Sequence, residues 1–212
     1  MSFLFAEAIV KICRSNKKTF KSYELVVSGL GVLSVPFVLA CITLFFAFGY
    51  LPILLIPSLN DPLAFIFLIA SFILGLILHE FSHIVVLANW GVKDISIGIS
   101  ISGIWGGFVR ADINKETYSK IQLPFYSSGL GSNLLLFLLF LPFVNFSPYL
   151  HIISISNFWL LIINAIPAPL LDGGKIFEAT FRYMNLEKYM EAISIGILLL
   201  WFIIIILRFL IS

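Results

Sequence analysis

The sequence predicts an all-α polytopic membrane protein of about five transmembrane helices, with a small membrane-associated β-hairpin after the second. Three observations carry that expectation. Of the 212 residues, 60% are hydrophobic and only 11% charged, far from the balance of a soluble domain. Apolar runs of spanning length recur at roughly 25–48, 62–88, 123–145, 148–170 and 190–210, each close to the ~20 residues a helix needs to cross the hydrocarbon. Between the second and third runs the periodicity changes: Ile95, Ile97, Ile99 and Ile101 alternate with Ser96, Gly98 and Ser100, the signature of a half-buried strand.

The elements follow in order. Residues 1–22 are basic and read as a short interfacial helix on the inner membrane surface. The first apolar run has no small-residue cleavage pattern behind it, so it is expected to remain as an anchor. Residues 49–57, "GYLPILLIP", are too short to span and are interrupted by Pro52 and Pro57, which suggests an interfacial or re-entrant cap. With five crossings and a cytoplasmic amino terminus, twelve of the thirteen basic residues, all but Arg208, lie on the cytoplasmic side, as the positive-inside rule favours. Ser102 and Gly103 supply a turn, after which Ile104 to Arg110 return as a second strand. Residues 175–190 read as a second amphipathic surface helix. No linker or shift of composition divides the chain, so one membrane-embedded domain, 1–212, is expected. The net charge of +2 is scattered at the ends of apolar runs, which argues against nucleic acid as a partner. Cys13 and Cys41 suggest neither a disulfide framework nor a CxxC metal site.

The chemistry is concentrated in "SFILGLILHEFSHIVVLANW", residues 71–90. His79 and His83 are four apart, on one helix face, a spacing at which two imidazoles bind one zinc ion. Glu80 flanks that face and can take a proton from water activated there. From Pro62 to His79 a helix rises about 25 Å, which puts the motif toward the cytoplasmic third of the membrane. Unpaired ionisable groups cost about 2.5 kcal/mol or more each at such depth. A metal is one partner that removes the cost. Two alternatives stand beside it: a pair of interhelical histidines with a neutral glutamic acid, or half of a di-iron site. The second needs another ExxH pair, and the chain has none.

Two histidines leave a catalytic zinc one protein ligand short. The fourth apolar run ends near the same membrane depth at "NAIPAPLLDGG", residues 164–174, which carries Asp172. Pro167 and Pro169 break the helix there, and Gly173 and Gly174 are expected to let the backbone adopt positive φ. A plain helix end with a solvated Asp172 is the alternative. His151, at the outer start of the same run, reads as an interfacial residue.

Taken together, "HEFSH" (79–83), "GLGSN" (129–133) and "NAIPAPLLDGG" (164–174) resemble the motifs of the site-2 protease family of intramembrane zinc metalloproteases. The likeness covers residues 62–175, and Leu130 stands where that family usually has proline. The resemblance implies one Zn2+ per chain held by His79, His83 and Asp172, with Glu80 as general base and acid. It also implies that Asn133 and Asn164 orient the substrate carbonyl, and that the sheet near residues 95–110 flanks the active site. The partners it implies are the lipid bilayer and a membrane-spanning protein or membrane-bound peptide precursor. The location it fits is a cell membrane, with the catalytic centre near the cytoplasmic side. Interhelical hydrogen bonding is an alternative role for both asparagines. A non-hydrolytic zinc protein that moves or senses metal is the competing function. It calls for further polar ligands across the bilayer, and the first and fifth runs offer little beyond serines, Thr43 and Arg208.

Overall fold

A computed structural model describes residues 2–49, 62–92, 95–100 and 106–211. The elements are α1 (Ser2–Ser15), α2 (Lys17–Phe48), α3 (Pro62–Asn89), β1 (Ser96–Ser100), β2 (Gly106–Arg110), α4 (Lys115–Phe140), α5 (Pro148–Ala165), α6 (Asp172–Tyr183) and α7 (Met190–Ile211). Short 3-10 turns extend α4 over Leu141–Phe143 and precede α7 over Glu187–Tyr189. Among the described residues five helices are long and apolar enough to cross a membrane: α2, α3, α4 with its turn, α5, and α7 with its turn.

Contacts between the helices fix their relative directions. Tyr23, near the start of α2, shares a 2.7 Å hydrogen bond with Ser82, near the end of α3, so those two run oppositely. The end of α3 meets the first half of α4 where His83 packs on Phe125. Phe67 and Tyr149 bring the starts of α3 and α5 together. The indole of Trp201, midway along α7, donates to Thr43 at 2.9 Å, and Arg208 near the end of α7 reaches the Phe45 carbonyl near the end of α2, so these run the same way. This alternation is what successive membrane crossings require.

Two apolar clusters hold the bundle. In the first, Val38, Leu130, Phe137, Phe158, Leu161 and Ala165 join α2, α4 and α5, and Phe137 stacks on Phe158 with ring centroids 4.7 Å apart. Glycine lets α2 and α4 come closer than any other pair of residue types would. A Cβ on Gly31 would overlap the carbonyl of Ser127, and one on Gly131 the carbonyl of Val27. Such small-residue contacts replace hydrophobic drive where lipid is the solvent. The second cluster gathers Ile9, Cys13, Ile84, Leu87, Ile95 and Ile121. On the outside, Phe65, Ile66, Ile69, Ile73, Leu74 and Ile77 of α3 are exposed, a face that lipid tails solvate and water would not.

Several boundaries differ from the expectations. The basic leader is not one helix over 1–22: it breaks at Asn16, whose φ of −118° and ψ of 43° leave the helical region, and α2 begins eight residues earlier than 25, at Lys17. Nor does α1 only cover a surface, because Ile9 and Cys13 are buried in protein. The fourth crossing stops at Ala165, not 170. The residue before a proline is pushed out of the α region, and Ile166, ahead of Pro167, is extended at φ −59° and ψ 135°. The second amphipathic helix begins at Asp172 and ends before Asn185, whose φ of 56° is left-handed. β1 and β2 pair antiparallel from Ser96↔Arg110 to Ser100↔Gly106. The turn expected at Ser102 and Gly103 lies outside the described residues, so a closed hairpin is not part of the observed architecture. The cap expected over 49–57 likewise lies outside them beyond Gly49.

Candidate metal centre

The centre is built from three helices. Helix α3 has no glycine or proline between Gly75 and Asn89, so His79 and His83 stay in register one turn apart, their rings 4.9 Å between centroids and nearly perpendicular. Only 3% and 4% of their surfaces are exposed. Asp172 comes from the other end of the chain. After the break at Pro167 the backbone makes a tight excursion, with Leu171 donating to the Ala168 carbonyl at 3.0 Å, and Asp172 opens α6. A carboxylate in the first turn of a helix is favoured by the helix dipole.

Gly173 and Gly174 are essential here for a different reason from the one expected. Positive φ among the described glycines occurs at Gly49 and Gly91, and the pair after Asp172 is helical. What the pair supplies is room: a Cβ on Gly173 would overlap the Ala165 carbonyl, and one on Gly174 the Ala168 carbonyl. The absent side chains let α6 lie directly on the broken end of α5 and bring Asp172 under α3. Farther along α6, Arg182 donates to Gln122 of α4 at 2.8 Å and to Glu178 at 2.7 Å. Partial burial would raise the Glu178 carboxyl, but Lys175 and Arg182 outweigh it and hold the group below its usual range. These bonds tie α6 to α4 beside the centre.

The Asp172 Oδ2 atom lies 3.0 Å from His79 Nε2 and 3.3 Å from His83 Nε2. The three ligand atoms fall within 4.8 Å of one another. Ligands of a tetrahedral zinc ion, each about 2.0–2.1 Å from the metal, are about 3.3 Å apart, so the spacing suits that ion. The surroundings suit it too. Oδ2 is buried, and the N–O lines to the two rings do not have hydrogen-bond geometry. His83 Nδ1 lies 2.7 Å from the Phe125 carbonyl. A carbonyl only accepts, so Nδ1 carries a proton, and in the neutral ring the Nε2 lone pair then faces the carboxylate oxygen. Together these three atoms form a donor set that could hold a metal ion. Gly129 keeps the space open, since a Cβ there would be 2.6 Å from His79 Nε2 and 2.7 Å from His83 Nε2.

The remaining residues singled out from sequence fall as follows. Glu80 is half-buried on α3 beside His79. Asn133, fully buried on α4, lies 3.0 Å from the other ring nitrogen of His79, Nδ1. Asn164 donates to the Leu160 carbonyl of its own helix at 3.0 Å, and no hydrogen bond joins it to the trio among the described residues. His151 is not in the cluster. Sequence reasoning missed Phe125 and gave Gly129 no role beyond its place in the GLGSN motif. The Phe125 carbonyl is a main-chain atom, which no residue type announces, whereas the run of Gly129 and Gly131 in an apolar helix was a usable sign of close approach. Beside the centre, Leu87, Val109, Tyr118, Gln122, Phe125 and Tyr126 help line a cleft of about 280 Å³ along β2. The Phe125 ring divides it from His83, 4.6 Å between centroids.

No curated protein and no solved structure matches the chain. One family model does, over residues 140–207, which include Asp172 and leave the His79–His83 motif outside. That model is Peptidase family M50, a family of membrane metalloproteases, and the chain is similar to it over those residues, about a third of its length.

Proposed function

We propose that this protein is an intramembrane zinc endopeptidase that cuts transmembrane segments or membrane-bound peptide precursors. The observation that carries the reading is the convergence of His79 Nε2, His83 Nε2 and Asp172 Oδ2 from α3 and α6 on one buried point, with Glu80 at its flank. His79, His83 and Asp172 would hold one zinc ion. Zinc in such a donor set supplies Lewis acidity, which makes water a nucleophile near neutral pH and polarises a carbonyl oxygen.

The chain's own residues do the rest. Glu80 accepts the proton of the attacking water as its oxygen bonds to the peptide carbon. It then delivers that proton to the amide nitrogen as the C–N bond breaks, giving a carboxylate and an amine. A substrate helix hides its carbonyls in its own hydrogen bonds, so the segment must be extended when cut. The edge of β2 supports an extended segment by strand addition, and the adjoining cleft accepts one of its side chains. The whole of 1–212 forms one domain on this reading, with 62–175 as its catalytic core. The distribution of basic residues supports a cytoplasmic amino terminus, a plasma-membrane location and a centre near the cytoplasmic side. Asn164 stands as a residue that turns to the substrate carbonyl once its bond to Leu160 opens.

The test is Glu80→Gln. The purified variant is expected to keep stoichiometric zinc by elemental analysis and to lose at least about 100-fold in cleavage of a membrane-peptide substrate, the scale of general-base catalysis. Undiminished cleavage would remove Glu80 from the mechanism. A native chain that binds zinc and leaves the membrane peptides of its host unchanged would instead be a metal-handling protein.

A further inference from the structure

The two histidines of the centre differ in what holds their outer nitrogens. For His83 the partner is the Phe125 carbonyl, which holds a proton on Nδ1, so the neutral ring has its lone pair on Nε2. For His79 the partner is the Asn133 amide, whose nitrogen lies 3.0 Å from Nδ1. An amide has a donor end and an acceptor end of nearly equal shape, and its rotation by half a turn is fixed by hydrogen bonding alone. With nitrogen toward the ring, Nδ1 must accept, the His79 proton moves to Nε2, and Nε2 can no longer offer electrons to a metal. That arrangement also leaves two buried atoms unserved: Asn133 Oδ1 has no partner, and Asp172 Oδ2 takes no hydrogen bond from Nε2. With oxygen toward the ring, Oδ1 accepts the Nδ1 proton and the Nε2 lone pair points at Asp172, as in His83. The amide NH2 is then the spare group, a donor that a peptide oxygen can satisfy.

We infer that Asn133 is a positioning residue for His79: its side-chain oxygen accepts the Nδ1 proton and holds the ring in the metal-binding tautomer. This rests on the zinc reading of the site and adds to it, because Asn133 then acts on the metal before any substrate arrives. Residues that hold the far nitrogen of a ligating histidine orient the ring and raise its basicity. Both such partners, Phe125 and Asn133, come from α4, so α4 sets the tautomers while α3 and α6 supply the ligands.

The experiment is a zinc titration of the purified, demetallated full-length chain against a chromophoric chelator, for the native protein, Asn133→Ala and Asn133→Asp. Apo-protein melting in the same detergent reports the fold, and cobalt substitution reports the ligand field. Alanine is expected to weaken zinc by about 10–100-fold, the usual weight of such a partner, and to shift the cobalt bands. Aspartate can only accept, so it is expected to bind zinc within about 3-fold of native, or more tightly, with native-like bands. Zinc affinity unchanged in the alanine chain would overturn the inference and leave Asn133 to the substrate. Aspartate as weak as alanine would also overturn it, because Nδ1 would then not carry the proton. If the alanine chain does not fold, the aspartate chain decides by the same criterion. A native chain that binds no zinc at all would bring down the site itself, a failure distinct from these.

Discussion

Where α3 meets α4, polar atoms of both helices face each other in the interior: His79 with Asn133, and His83 with Ser128 and the Phe125 carbonyl. Along α7 almost nothing polar is shared. Its one buried side chain among the described residues is Trp201, which bonds Thr43, while Arg208 reaches the Phe45 carbonyl at 3.4 Å near the end of α2. Leu198, Leu199, Phe202, Ile203 and their neighbours are exposed. Both regions belong to helices long and apolar enough to cross a membrane, yet only one specifies its partners atom by atom. Lipid tails solvate an apolar side chain about as well as another helix does, so apolar area alone holds α7 loosely. A buried polar atom has no such substitute and admits few arrangements.

That contrast can be broken by substitution. The largest effect is expected at Asp172→Ala, which removes a proposed ligand. Zinc affinity should fall by more than about 100-fold, beyond what loss of a ligand's neighbour costs, and a variant that still held stoichiometric metal by elemental analysis would refute the trio. Next is Gly129→Ala. The added Cβ would meet both imidazoles at 2.6–2.7 Å, so metal binding should fall and the chain should lose about 1–3 kcal/mol in detergent denaturation. On the α7 side, Trp201→Phe deletes the hydrogen bond to Thr43. It should cost about 0.6–1.7 kcal/mol and leave zinc affinity unchanged; loss of metal there would mean that the two regions are not independent. The smallest effect is expected at Gly196→Ala, where a Cβ meets nothing within 4 Å. Better helix propensity should stabilise that chain by up to about 1 kcal/mol, read in the same denaturation.

What the sequence discloses of this architecture follows what each signal encodes. The crossings are legible because spanning length is a count of apolar residues, and α3 starts at Pro62 as expected. The proximity of Asp172 to the histidines is legible because consecutive crossings must alternate in direction, which brings the ends of the second and fourth to one level. The break at Asn16 is not, since no proline or glycine marks it and the packing of Ile9 and Cys13 against α3 sets its position. Gly173 and Gly174 show how a correct residue can carry a wrong reason. Glycine permits unusual φ and also permits close approach, and sequence does not distinguish the two. The Asn133 contact with His79 was hidden similarly, because an asparagine in a helix names no partner.

The order of the proposed ligands along the polypeptide has a consequence for biogenesis. Both imidazoles enter the bilayer early, with α3, but the anionic donor follows only after two more crossings and the break at Pro167. A nascent chain halted short of α6 holds a pair of neutral nitrogens and nothing to complete a hydrolytic ion. On the proposed function, proteolytic capacity near the translocation machinery is thus withheld until α6 has closed on α3.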